Sequence, residues 1–190
     1  MEQTLKNLPI GIQDFESLIN DGYLYVDKTA LMHRLVSTGR YYFLSRPRRF
    51  GKSLLISTLK AYFLGKKDLF KGLAVEQLEQ KWTVHPVLHL DLNTAKYKEP
   101  GKLDAVLDKT LSKWEKLYDI KPHDPDFGMR FEDVIQCAYE KTGERVVVLV
   151  DEYDKPLLET IGNEELQDDY RSTLKSFYGA LKSKDGCIKF

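Results

Sequence analysis

Between Arg145 and Asp151 the chain runs through five consecutive aliphatic residues: Val146, Val147, Val148, Leu149 and Val150. A strand with one wet face alternates polar and apolar positions. An unbroken run of this length suits a strand covered on both faces, the setting of a parallel sheet between helix layers. Two acids, Asp151 and Glu152, follow at once.

The remaining patterns fit that frame. A helix is expected from Asp27, read as its N-cap, to about Gly39. The aromatic and aliphatic run YYFL (41–44) reads as a buried strand, and SRPRRFG as a turn-rich loop. From Lys52 the residues Leu55, Leu59, Tyr62 and Phe63 recur at helical spacing until Gly65. A second strand is expected at 86–93, helices at 103–118, 131–141 and 164–182, and the beginning of a further strand in the final CIKF. The KEPG (98–101) and KPHDPDFG (121–128) stretches read as loops. Strands separated by helices indicate an α/β fold with a mainly parallel sheet flanked by helices.

Composition narrows the function classes. At 190 residues, 42% hydrophobic and 31% charged, the chain can bury one substantial core and does not have the make-up of a disordered protein. Basic and acidic residues number 29 each, so bulk charge does not imply nucleic acid as a partner. Cys137 and Cys187 have no paired spacing, and His33, His85, His89 and His123 show no metal-site spacing. Neither a leader peptide nor a bilayer-length apolar run is visible, so the expectation is a cytoplasmic protein without a membrane partner.

The segment SRPRRFGKS carries the chemistry. Gly51-Lys52-Ser53 follows an expected strand and opens an expected helix. There, backbone N–H groups and the helix dipole can face phosphate oxygens. Gly51 lets the backbone approach closely, Lys52 can reach the β- and γ-phosphates, and the Ser53 hydroxyl can ligate magnesium. The candidate nucleotide-binding loop is therefore Arg46, Pro47, Arg48, Arg49, Phe50, Gly51, Lys52, Ser53 and Leu54. It departs from G-x-x-x-x-G-K-[ST] in having Arg46 where the first glycine belongs, with Pro47 restraining the backbone beside it. The three arginines either steer a triphosphate or simply face water.

Asp151 and Glu152 match the magnesium-side element of a nucleotide hydrolase: Asp151 for the metal, Glu152 to polarise the attacking water. An acidic pair after a strand is also a common solvated turn. Both elements together, in this order and with these flanks, favour a nucleotide site at the carboxyl edge of the sheet.

These residues resemble the predicted AAA-ATPase-like family of bacteria and archaea. The matching segments are LPIGIQDFESL (8–18), GYLYVDKTALMHRLV (22–36), YYFLSRPRRFGKSLLISTL (41–59), VLHLDLN (87–93) and VVVLVDEYDKPLL (146–158). That family carries arginine in place of the first glycine, so Arg46 is no defect by its standard. The resemblance implies the fold of P-loop ATPases, ATP and Mg2+ as ligands, and hydrolysis of ATP to ADP and phosphate. It places Lys52 and Ser53 on phosphates and metal, Asp151 on the metal, and Glu152 as catalytic glutamate. It also marks Asp27 and Lys28 as a signature, for which a helix cap at Asp27 is the simpler account.

By the same resemblance, residues 1–40 form an N-terminal family segment and 41–190 a P-loop ATPase core that stops before a γ-phosphate-sensing strand. Longer relatives continue into a domain resembling PD-(D/E)XK nucleases. Nucleic acid would enter only through that domain, and an incomplete sheet centre would be open to self-association with another copy. The leading expectation is a Mg-dependent ATPase module. The alternative is a nucleotide-binding regulatory or interaction module with little turnover.

Overall fold

The computed structural model describes residues 6–45, 47, 49–121 and 124–190. They divide into two compact units, one reaching Val87 and including Phe190, the other spanning Leu88–Lys189.

The first unit is built on short helices: α1 (Phe15–Asn20), α2 (Thr29–Thr38), α3 (Lys52–Phe63) and α4 (Ala74–Leu78). Asp14 caps α1 by accepting from the Ser17 N–H at 2.9 Å. Ser57 of α3 holds the same helix start. Its hydroxyl accepts from the Phe15 N–H at 2.9 Å and donates to the Gln13 carbonyl at 3.0 Å. The core beneath is aromatic: the Phe15 ring lies 4.9 Å from Phe70, and Trp82 lies 5.2 Å from Phe70 and 5.7 Å from Tyr62. α2 and α3 occupy the stretches that capping and periodicity indicate, with Leu59 and Phe63 fully buried as expected.

The strand expected at 41–44 does not form. Tyr41, Tyr42, Phe43 and Leu44 are 56%, 45%, 69% and 38% exposed and belong to no sheet. The Tyr42 hydroxyl instead donates to the Leu35 carbonyl of α2 at 2.8 Å, and its ring lies 5.5 Å from Phe190. Strand propensity expresses itself only against a neighbouring strand.

The second unit carries β1 (Val87–Asp91) from Leu88 onward and β2 (Val147–Asp151), paired as a small parallel sheet. Its helices are α5 (Lys102–Leu117), α6 (Phe127–Thr142), α7 (Lys155–Glu159) and α8 (Glu164–Ser183). Mixed helix and strand with parallel pairing is the α/β class expected. On β2, Val146, Val148 and Val150 turn toward the helix-packed core, while Val147 and Leu149 on the alternate positions are buried too. The unbroken aliphatic run thus covers both faces. Ile188 makes a parallel bridge with Val146, and the Val146 N–H donates to the Cys187 carbonyl at 2.8 Å, so CIKF does begin to pair as a strand.

The helices pack through stacked rings, Phe131 on Phe177 at 4.4 Å and Trp114 on Phe131 at 5.6 Å. α6 starts earlier than its apolar pattern suggests because Asp126 caps it, accepting from the Met129 N–H at 2.9 Å. Gly128 allows close approach to α8; a Cβ there would sit 2.8 Å from the Ser176 carbonyl oxygen. Among the described residues, no helix is long and apolar enough to cross a membrane.

Candidate functional site

The phosphate-loop residues lie in the first unit. Gly51 has φ +74° and is the N-cap of α3, so Lys52, Ser53 and Leu54 form that helix's first turn. A Cβ at Gly51 would meet nothing within 4 Å, so the requirement for glycine is backbone conformation rather than space. Arg49 also takes a positive φ, 67°, and Phe50 projects 62% exposed. The turn has no acidic residue and no side-chain cap, leaving the positive end of the dipole without a carboxylate of its own. Pro47 precedes it; Arg46 and Arg48 lie outside the described residues.

The acids lie in the second unit. Asp151 ends β2 and is half-buried. Glu152 follows with φ +52°, a left-handed conformation that a glutamate rarely adopts. Its N–H donates to Asp151 Oδ1 at 3.0 Å, and its carbonyl accepts from the Lys155 N–H at 3.0 Å. Because β1 and β2 are parallel, the carboxyl end of β1, with Asp91 and Asn93, opens on the same edge of the sheet.

Asn93, Lys155 and Glu159 are functional candidates that motif spacing does not reveal. Lys155 Nζ donates to the Asn93 carbonyl and to Asn93 Oδ1, both at 3.0 Å. Glu159 Oε2 accepts from the Tyr97 N–H at 2.8 Å. Burial, reinforced by Asp91, Glu159 and Tyr170, pushes the Tyr97 hydroxyl up to about 12. The signal lay inside DEYDKPLLE, whose lysine and second glutamate carry no role in a phosphate-loop pattern.

Asp27 is engaged by backbone N–H groups of two helix starts. Its Oδ1 accepts from the Thr29 N–H at 2.8 Å, and its Oδ2 from the Ala74 N–H at 2.7 Å. The N-cap of α2 is Lys28 rather than the expected Asp27, whose carboxylate closes a turn onto the first residue of α2 and ties it to the start of α4. Partial burial works against its charge, but the Thr29 hydroxyl and these two N–H groups hold the carboxyl below its usual range.

Among the described residues, no group of three or more His, Cys, Asp or Glu could hold a metal. Magnesium does not require one, since it commonly takes one or two protein oxygens and completes its shell with phosphate and water. The Ser53 hydroxyl and the Asp151 carboxylate are each hard-oxygen donors of the kind magnesium takes.

The fold is of the α/β class, a small parallel sheet flanked by helices with acids at the carboxyl ends of its strands. The chain belongs to the family described as "Predicted AAA-ATPase", whose model matches residues 9–190. It is 39% identical over 186 residues to a protein of Azotobacter chroococcum mcd 1 described as "Uncharacterized protein in vnfD 5'region". That match covers 97% of this chain and 36% of the relative, so the chain spans about a third of the relative's length. No solved structure matches it.

Proposed function

We propose that this chain binds ATP with magnesium and hydrolyses it. The observation that carries the reading is the left-handed Gly51 opening α3 with Lys52 and Ser53 in the first turn of a helix that supplies no acid there. Lys52 contacts the β- and γ-phosphates, and the N–H groups of the loop around Gly51 face their oxygens. Ser53 and Asp151 are the residues that would hold the metal, and a bound magnesium would supply neutralisation of charge on the phosphates. Glu152 orients water for in-line attack on the γ-phosphate and accepts its proton. Family membership supports nucleotide binding, and adenine is the base that membership favours.

A second reading, a nucleotide-binding module with little turnover, is favoured by residues 41–44. They lead into the loop yet are exposed and outside any sheet.

Titration with a fluorescent ATP analogue and magnesium, beside phosphate release, separates the two readings. Under the first, Lys52→Ala abolishes binding, while Glu152→Gln binds but releases no phosphate. Binding by wild type without release supports the second. No binding by folded wild type overturns both.

A further inference from the structure

We propose that Lys155 is a positioning residue for Glu152, holding the glutamate's left-handed backbone through an anchor on Asn93. The inference rests on reading Glu152 as the water-orienting acid. A glutamate at φ +52° persists only where its surroundings over-determine it. Two hydrogen bonds act on its own peptide groups, the N–H on Asp151 Oδ1 and the carbonyl accepting from the Lys155 N–H, each at 3.0 Å. The second transfers the problem to Lys155, because the Glu152 carbonyl stays in place only if that backbone does.

Lys155 is itself fixed. Its ammonium meets the Asn93 carbonyl and Asn93 Oδ1 at 3.0 Å, stands 3.7 Å from Glu159 Oε1, and lies 6.0 Å from the centre of the Tyr97 ring. With only 21% of its side chain exposed, it is not a solvated surface lysine. Glu159, four residues on, takes the Tyr97 N–H with its other oxygen. α7 is thus pinned at both ends to the segment that leaves β1, Lys155 to Asn93 and Glu159 to Tyr97. The ammonium's contacts at Asn93 thereby restrain the backbone whose N–H the Glu152 carbonyl accepts.

The direct test is the NMR signature of positive φ at Glu152, a strong intraresidue amide-to-Hα Overhauser effect, read in wild type and in Lys155→Met. The variant keeps the stem and removes the donors. The expected result is a strong effect in wild type that weakens in Lys155→Met, and to a smaller degree in Asn93→Ser, which retains the backbone acceptor. Lys155→Arg, which restores donors, recovers it in part. In parallel, Lys155→Met lowers kcat about tenfold, a fraction of a general base's full contribution, with KM for ATP within about twofold. An unchanged Overhauser effect in folded Lys155→Met overturns the proposal, whatever happens to turnover. Should Lys155→Met not fold, the same readings on Asn93→Ser decide it. Wild type without turnover would defeat Glu152 as catalyst, while the Overhauser effect still decides whether Lys155 sets its conformation.

Discussion

Arg130 holds Glu115 at two points, Nε to Oε1 at 2.7 Å and Nη2 to Oε2 at 2.8 Å, with both side chains nearly inaccessible to water. The guanidinium reaches further to Asp108, whose side chain is 59% exposed. This clasp joins α5 to α6, as the stacked Trp114 and Phe131 rings also do. A two-point carboxylate grip of this kind also fixes the rotation of α6 against α5.

Removing Glu115 takes away both short contacts of the buried guanidinium and leaves it only the solvated Asp108 and the Ser112 hydroxyl. Glu115→Ala is therefore expected to destabilise the chain by about 3–5 kcal/mol in urea unfolding. Asp108→Ala, removing the solvated partner, should cost less than about 1 kcal/mol. The double variant Arg130→Met with Glu115→Leu should recover most of the Glu115→Ala loss, because an apolar pair replaces the desolvated charges. Equal losses in Glu115→Ala and Asp108→Ala would contradict the burial argument.

The Asp27 carboxylate accepts from the N–H groups of Thr29 and Ala74. Asp27→Ala should lower stability by about 1 kcal/mol near neutral pH. The sign of its pH dependence follows from a folded-state value lowered from the ordinary 3.8. The carboxylate's contribution is complete above 3.8 and disappears as pH falls through the lower folded-state value. Thermal unfolding of both chains from pH 7 downward should show the Tm gap hold and then close in acid. A gap that widened in acid would contradict this role.

Gly128 meets Ser176 across the α6–α8 contact, where a Cβ would lie 2.8 Å from a backbone carbonyl oxygen that cannot rotate away. Gly128→Ala should cost about 1–3 kcal/mol as an overpacking change, despite alanine's better helix propensity. Stabilisation on substitution, measured by urea midpoint, would show that the helices separate easily.

What could be read in advance divides along physical lines. α3 opening at Lys52, the doubly covered β2 and α8 from Glu164 were all legible, because local periodicity and aliphatic runs encode them. Residues 41–44 misled because four apolar residues express strand propensity only when another strand receives them, and here Tyr42 folds onto α2 instead. The true start of α6 was hidden in a stretch whose prolines and glycine read as loop, although Asp126 supplied a cap. Asp27 was legible as a residue of the start of α2, although Lys28 takes the cap position, and its second contact, 47 residues away at Ala74, was not. The Lys155–Asn93 pair spans 62 residues, and no local pattern announces which lysine a strand end will receive.

Glu152 offers a test in which stability and turnover move separately. Its φ of +52° costs a side chain such as glutamate or glutamine roughly 1–2 kcal/mol, whereas asparagine tolerates the left-handed region far better. Glu152→Gln keeps the strain and removes the carboxylate; Glu152→Asn removes both. Glu152→Asn should therefore be more stable than Glu152→Gln by about 0.5–1 kcal/mol in urea unfolding. Under the proposed function both variants should lose phosphate release by about 100-fold or more while still binding the ATP analogue. Stability equal in the two variants would mean that the left-handed conformation carries no strain in solution. Retained turnover in either would remove Glu152 from the chemistry, and with it the reason for a glutamate to occupy a position that asparagine fits better.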